Sequence, residues 1–135
     1  DRNSKPRIPL PPLQYEAVGA TEYLALSKRV STEQFDPVLT AQAFGKSINL
    51  GAWDGTRLVG AARIVTDGYL FAALADIVVD PGYQRRGLGR ELLNRAFDST
   101  PRGALQITAR AGTGPFFDRT GCERGVSGFV MRRRS

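Results

Sequence analysis

The spacing of hydrophobic positions changes several times along the chain. In ATEYLALSKRV, Ala20 to Val30, the residues Tyr23, Leu24, Ser27 and Val30 fall near helical spacing, with Thr21 placed as an N-cap. A second helix is predicted over Asp36 to Lys46, with Asp36 as N-cap and Pro37 at the first position, where a missing N–H is harmless. The pattern then shifts to strands separated by two Asp–Gly turns. Ile48–Trp53 and Arg57–Thr66 form a predicted antiparallel hairpin. Tyr69–Val79 follows, so nearly all apolar that burial on both faces is expected. From Gly87 to about Ser99 the helical period returns, with Leu88, Leu92, Leu93 and Ala96 on one stripe. Ala104–Arg110 alternates as a strand, and Gly114–Gly121 suits a short helix closed by Gly121. Gly128–Arg134 reads as a last edge strand. The sum is an α/β fold: a mixed, largely antiparallel central sheet flanked by helices.

The first residues break from these patterns. DRNSKPRIPLPPLQY holds four of the eight prolines, so residues 1–13 are read as an extended or disordered arm, and 14–135 as a single domain. The chain has 135 residues, enough for one such domain, and no apolar run of membrane-spanning length. It contains no histidine and one cysteine, Cys122. Hydrolases built on a histidine base, an internal disulfide and a histidine-ligated zinc are thereby excluded, and no metal is expected. One free thiol fits the cytoplasm or another reducing compartment, an organelle stroma included.

Charge sharpens the picture. The formal net charge is +6, much of it in QRRGLGR and in the terminal RRRS. Such a balance favours anionic partners. The tail is read as solvated charge, whereas the internal cluster lies between a predicted strand and a predicted helix. There the backbone N–H groups of a helix start are unpaired and face the positive end of its dipole. Gly87 and Gly89 let a phosphate approach the main chain, and Arg85, Arg86 and Arg90 add charge and donors at the rim. A turn shaped by glycines with solvated arginines is the plainer alternative. A Walker loop is excluded because Gly89 is followed by Arg90–Glu91, and a dinucleotide fingerprint because the upstream strands are hairpin-connected.

VVDPGYQRRGLGRELL resembles the acyl-coenzyme A signature of the GNAT N-acetyltransferases: Gln84, Gly87 and Gly89 fill its defined positions, after an apolar strand and before an amphipathic helix. The likeness runs from about Tyr15 to the C-terminus, with RLVGAARI before the motif and PFFDRTGC after it, and is strongest to compact plastid and bacterial members. It implies the GNAT acyl-CoA N-acyltransferase fold and acetyl-CoA as acyl donor. The anion would be the coenzyme's pyrophosphate, bound by Gln84, Arg85, Arg86, Gly87, Leu88, Gly89 and Arg90. It further implies that Ile77, Val78 and Val79 line the coenzyme, with the Ile77 N–H facing the thioester carbonyl and Val79 pairing with the pantetheine amides. Such a fixed N–H stabilises the charge that develops on the acetyl oxygen.

The resemblance implies an amine acceptor as the other partner, a small amine or a protein lysine or N-terminus, and an amine must shed a proton before it attacks. Asp76 is the one acid between Asp67 and Asp80, and an aspartate within LFAALADIVV is expensive to bury alone. It either takes that proton or pairs with Arg63. Tyr23, Phe35 and the loop between the first two helices are expected to shape the acceptor side. Relatives often carry a tyrosine that protonates the leaving thiolate, and here Phe117 stands in its place, Cys122 replaces an aromatic, and Arg110 sits near a usual asparagine. Tyr69 or Tyr83 serves instead, or the thiolate leaves through water, or the protein binds the coenzyme and turns it over poorly as a sensor. Cys122 has no base nearby and is read as a small packing residue. No nucleic-acid motif accompanies the basic residues, and a homodimer is allowed by analogy with relatives.

Overall fold

The computed structural model describes residues 8–101, 103–109, 113–125 and 128–133. The described elements are β1 (Gln14–Ala17), α1 (Ala20–Val30), α2 (Pro37–Phe44), β2 (Ile48–Asp54), β3 (Arg57–Thr66), β4 (Ala72–Val79), α3 (Leu88–Asp98), β5 (Gln106–Ile107) and α4 (Gly114–Arg119), with a 3-10 turn at Pro81–Tyr83. The strands lie in sequence order in one sheet. All neighbours are antiparallel except β4 and β5, which run parallel and pair only at Ala73–Gln106 and Leu74–Ile107. The α/β class with a mixed, largely antiparallel sheet is as expected.

The sheet is covered on both faces. Leu88, Leu92, Leu93 and Ala96 of α3 pack on one side against Val59, Ile64, Leu74 and neighbours. Tyr23 and Leu26 of α1 pack on the other against Leu58 and Ala61. Each leucine buried this fully stabilises the fold by about 1.5–3 kcal/mol. Gly60 permits the close approach of α3, since a Cβ there would fall 2.9 Å from Leu92 Cδ1 and 3.1 Å from Leu88 Cδ2.

Several boundaries differ from the sequence reading. The arm gives way to a strand: Gln14–Ala17 pairs with β2, and Tyr15 carries the Arg95 guanidinium of α3 over its ring at 3.7 Å. Gly19, not Thr21, precedes the first helix and provides no side-chain cap. Asp36 does cap α2, accepting from the N–H groups of Val38 and Leu39, but that helix stops at Phe44. The third strand begins at Ala72. The Asp67 carboxylate gathers the N–H groups of Tyr69, Leu70 and Phe71 into a loop, and those three side chains are exposed. Residues 128–133 form no strand. Phe129 and Met131 are 96% and 99% exposed, so no sheet face receives them. Arg134 and Arg110 lie outside the described residues.

Candidate active site

The expected strand over 104–110 is reduced to two paired residues, and the reason lies in β4. Arg63 pairs with Asp76 but Ile64 with Leu74, so Ala75 is an extra residue in the ladder. A bulge of this kind bends its strand, and beyond it β4 has no partner on the β5 side among the described residues. The gap opens into a cleft of about 900 Å3, lined among others by Ala75–Val79, Ile107, Thr108, Phe116 and Phe117.

The ladder's phase fixes which backbone groups face this gap. Asp80 donates its N–H to the Val59 carbonyl at 2.8 Å, so Asp80 belongs to a hydrogen-bonded pair with β3. In an antiparallel ladder such pairs alternate. Val78 therefore also turns its polar groups toward β3, while Ile77 and Val79 turn theirs away, into the cleft. Gln84 confirms this phase, its Nε2 donating to the Val79 carbonyl at 3.0 Å.

The glycine-rich turn forms one end of the cleft. Gly87 caps α3 with φ of 90° and ψ of 1°, and no side chain caps the helix, so its first N–H groups lack partners within it. Arg85 also takes a left-handed backbone, with φ of 59°, a conformation that is uncommon outside glycine. Gln84, Arg85, Gly87, Gly89 and Arg90 all line the cleft, as does Arg119, which the sequence did not single out. Arg90 donates to the Arg119 carbonyl and so joins α3 to α4. Gly89 has a packing role too: a Cβ there would lie 3.0 Å from the Phe116 ring.

Two expected residues point elsewhere. Arg86 turns from the cleft and donates to the carbonyls of Ile8, Pro9 and Gly82, with its guanidinium 5.1 Å from the Tyr83 ring centroid. Leu88 sends its side chain into the core, leaving only its main chain at the helix start.

The other end of the cleft belongs to α1 and the segment after it: Tyr23, Ser27, Val30, Ser31, Glu33 and Phe35. Asp76 meets it from β4 and accepts from Arg63 Nε at 2.9 Å, the pairing that the sequence reading held open. Tyr23 faces Asp76, and its phenol is pushed up to about 12, first by burial and then by the Asp76 charge. It is therefore neutral near physiological pH. The cleft thus has arginines at the α3 end and the carboxylates Asp76 and Glu33 at the α1 end. Phe117 lines it, whereas Tyr69 and Tyr83 do not; Tyr83 instead donates its hydroxyl proton to Asp54. Cys122 packs against the core with Sγ 3.4 Å from the Thr120 hydroxyl. Among the described residues no cluster of three or more potential ligands is placed to hold a metal, and no helix is long and apolar enough to cross a membrane.

Known proteins resemble this chain in sequence and in fold. Residues 17–111 match the Acetyltransferase (GNAT) family, 95 of the 135 positions. A histone acetyltransferase of Glycine max is 46% identical over 39 residues, which are 29% of this chain and 17% of that protein. The match thus spans under a fifth of that relative's length. A GNAT family acetyltransferase from Streptococcus pneumoniae superposes with a TM-score of 0.77 at 24% identity, over 92% of this chain and 98% of that one. The structure of AAC(6')-Iy in complex with the bisubstrate analogue CoA-S-monomethyl-acetylneamine gives a TM-score of 0.73 at 14% identity, over 93% and 100%. At these identities the structures speak for the fold.

Proposed function

Because this chain belongs to the GNAT acetyltransferase family, we propose that it moves the acetyl group of acetyl-coenzyme A to a primary amine by direct attack. The acceptor is a small amine or a lysine or N-terminal amine of a protein, and residues 14–135 are the catalytic unit. The observation that carries this reading is the outward phase of Ile77 and Val79 beside an uncapped helix start.

Coenzyme A supplies the activated acetyl thioester, and the cleft fits it at both ends of its chemistry. Arg85, Arg90 and Arg119, with the first N–H groups of α3, suit a pyrophosphate. The outward N–H of Val79 suits an amide-bearing arm, while its carbonyl accepts from Gln84 Nε2. The Ile77 N–H donates toward the carbonyl oxygen as it gains charge, and a donor fixed in a strand needs no reorganisation to do so. Asp76 accepts the proton that the amine sheds, directly or through water. The nitrogen forms the new C–N bond, the C–S bond breaks, and the electron pair leaves on sulfur. Phe117 cannot protonate that sulfur, and a thiol's pKa of about 8.5 allows it to depart as thiolate to water.

A second reading follows from the same phenylalanine: a coenzyme A sensor with weak turnover. Calorimetric titration with acetyl-coenzyme A, followed by thiol release with a panel of primary amines, separates the two. Saturable binding abolished in Gly87→Glu, with amine-dependent thiol release, is expected. Binding without release on any amine would select the sensor, and no binding would end both readings.

A further inference from the structure

The α1 end of the cleft is short of a strong base. The chain contains no histidine. Among the described residues that line the cleft, the groups able to gain or lose a proton are Tyr23, Glu33 and Asp76, beside the arginines Arg85, Arg90 and Arg119. Tyr23 is no base near neutrality, because its phenol is pushed up to about 12 and keeps its proton. Asp76 accepts from Arg63 Nε at 2.9 Å, so a proton arriving there competes with an ion pair. Carboxylates are in any case weak bases toward an alkylammonium, whose pKa of about 10 lies roughly six units above that of a carboxyl in water. The α-ammonium of a polypeptide is more acidic than that alkylammonium by about 2.5 units.

A second observation concerns the rim of the same end. Phe35 lines the cleft and is 36% exposed, and within the next turn of chain Val38 and Leu39, at the start of α2, are 66% and 64% exposed. The sequence of α2, PVLTAQAF, carries no charged residue. Apolar surface therefore continues from the cleft wall onto the first turn of that helix.

We infer that the acceptor is the α-amine of a polypeptide N-terminus with apolar leading residues, in preference to a lysine side chain. The inference rests on the acetyltransferase reading above and chooses among its acceptors. Near neutral pH an α-amine is free about 300-fold more often than an alkylamine, so a site with only weak proton acceptors meets it ready to attack. Its electron pair forms the C–N bond, and the C–S bond breaks with its pair on sulfur. The nitrogen becomes far more acidic as the C–N bond forms, and its proton then passes to Asp76, directly or through water. The residues behind the α-amine lie over Val30 and Phe35 and reach Val38 and Leu39, a surface that a small amine leaves bare. Covering exposed valine and leucine with apolar side chains adds affinity that depends on the peptide and not on its nitrogen.

The test compares four acceptors near neutral pH with acetyl-coenzyme A as donor. They are a pentapeptide amide with a free apolar N-terminus and no lysine, its N-acetylated counterpart carrying one lysine, glycinamide, and n-butylamine. The two α-amines should each exceed the two alkylamines in kcat/KM by about tenfold or more, since the less basic nitrogen is also the poorer nucleophile and returns part of the roughly 300-fold. For n-butylamine, kcat/KM should climb about tenfold per unit between about pH 7 and pH 9, following its own free fraction. Val38→Ser combined with Leu39→Ser should raise KM for the pentapeptide about tenfold and leave KM for glycinamide unchanged. The urea midpoint should hold, because both side chains are exposed. An alkylamine preferred near neutral pH, a pentapeptide no better than glycinamide, or thiol release with none of the four would overturn the inference. So would a double variant that loses a dimer in light scattering yet acetylates the pentapeptide as before, which would make the surface an interface between copies. Failure to bind acetyl-coenzyme A at all would instead overturn the acetyltransferase reading beneath it.

Discussion

Asp80 ends the strand that borders the cleft, and replacing it tests how that border is held. Its side chain is 7% exposed, with Oδ2 receiving Arg29 Nε at 2.9 Å and Arg57 Nη2 at 3.1 Å, and Oδ1 receiving the Gly82 N–H at 2.9 Å. These contacts differ in weight. Arg57 is 56% exposed, and a pair so open to water contributes about 0.5 kcal/mol. The Gly82 contact caps the 3-10 turn, and a cap of this type contributes about 1 kcal/mol. Arg29 is 31% exposed and also donates to the Leu58 carbonyl. Losing its carboxylate strands a half-buried guanidinium, at about 2 kcal/mol, less than for a fully buried pair. Asp80→Ala should therefore lose about 3.5 kcal/mol in urea unfolding near neutral pH, and Asp80→Asn, which keeps an oxygen for Gly82, about 2.5 kcal/mol.

Acid supplies an independent check. Burial alone would raise the Asp80 carboxyl pKa, but hydrogen bonds from Gly82, Arg29 and Arg57 outweigh it and hold the group below its ordinary 3.8. A depressed carboxyl contributes stability above its unfolded pKa and loses it as pH falls through the folded value. The gap between wild type and Asp80→Asn should accordingly be full at about pH 6 and shrink below about pH 4. A gap under about 0.5 kcal/mol near neutrality, or one unchanged at about pH 2.5, would refute the reasoning.

Three further outcomes are expected. Gly60→Ala should lose about 1–3 kcal/mol of unfolding free energy, because its Cβ would overlap Leu92 and Leu88 in a packed core. Arg85→Ala and Arg90→Ala should each weaken acetyl-coenzyme A binding about tenfold in calorimetry, with a smaller effect at high salt, as for an anion held partly by charge. Phe117→Tyr should raise kcat in steady-state thiol release if protonation of the departing sulfur limits turnover, since residue 117 lines the cleft. An unchanged kcat would leave departure to water.

Legibility in the sequence followed how local each signal was. α3 and its glycine turn were readable because the amphipathic stripe and the unpaired N–H groups are properties of one contiguous segment. The Asp36 cap was readable for the same reason. That the backbone of β4 faces a coenzyme was implied only by the family resemblance, and the extra residue Ala75 that accompanies the opening was not visible, since it depends on the register between β3 and β4. Arg86 shows the limit from the other direction: composition placed it with Arg85 and Arg90, but the left-handed backbone at Arg85 sends its neighbour toward the arm. Tyr69–Phe71 read as strand because they are apolar, and the Asp67 carboxylate overrode that propensity.

The backbone phase at Ile77 and Val79 has a hereditary side. A donor supplied by the main chain is encoded by almost any codon, so single-base substitutions at those positions alter packing without deleting the N–H groups that the proposed reaction uses. Side chains that line the other end of the cleft, Tyr23 and Val30 on α1 and Phe35 after it, carry no such protection, since any substitution there changes the surface itself. On the proposed reading an alanine scan along β4 would be quiet at Ile77 and Val79, whose contribution is main chain, and loud at Asp76, whose contribution is a carboxylate.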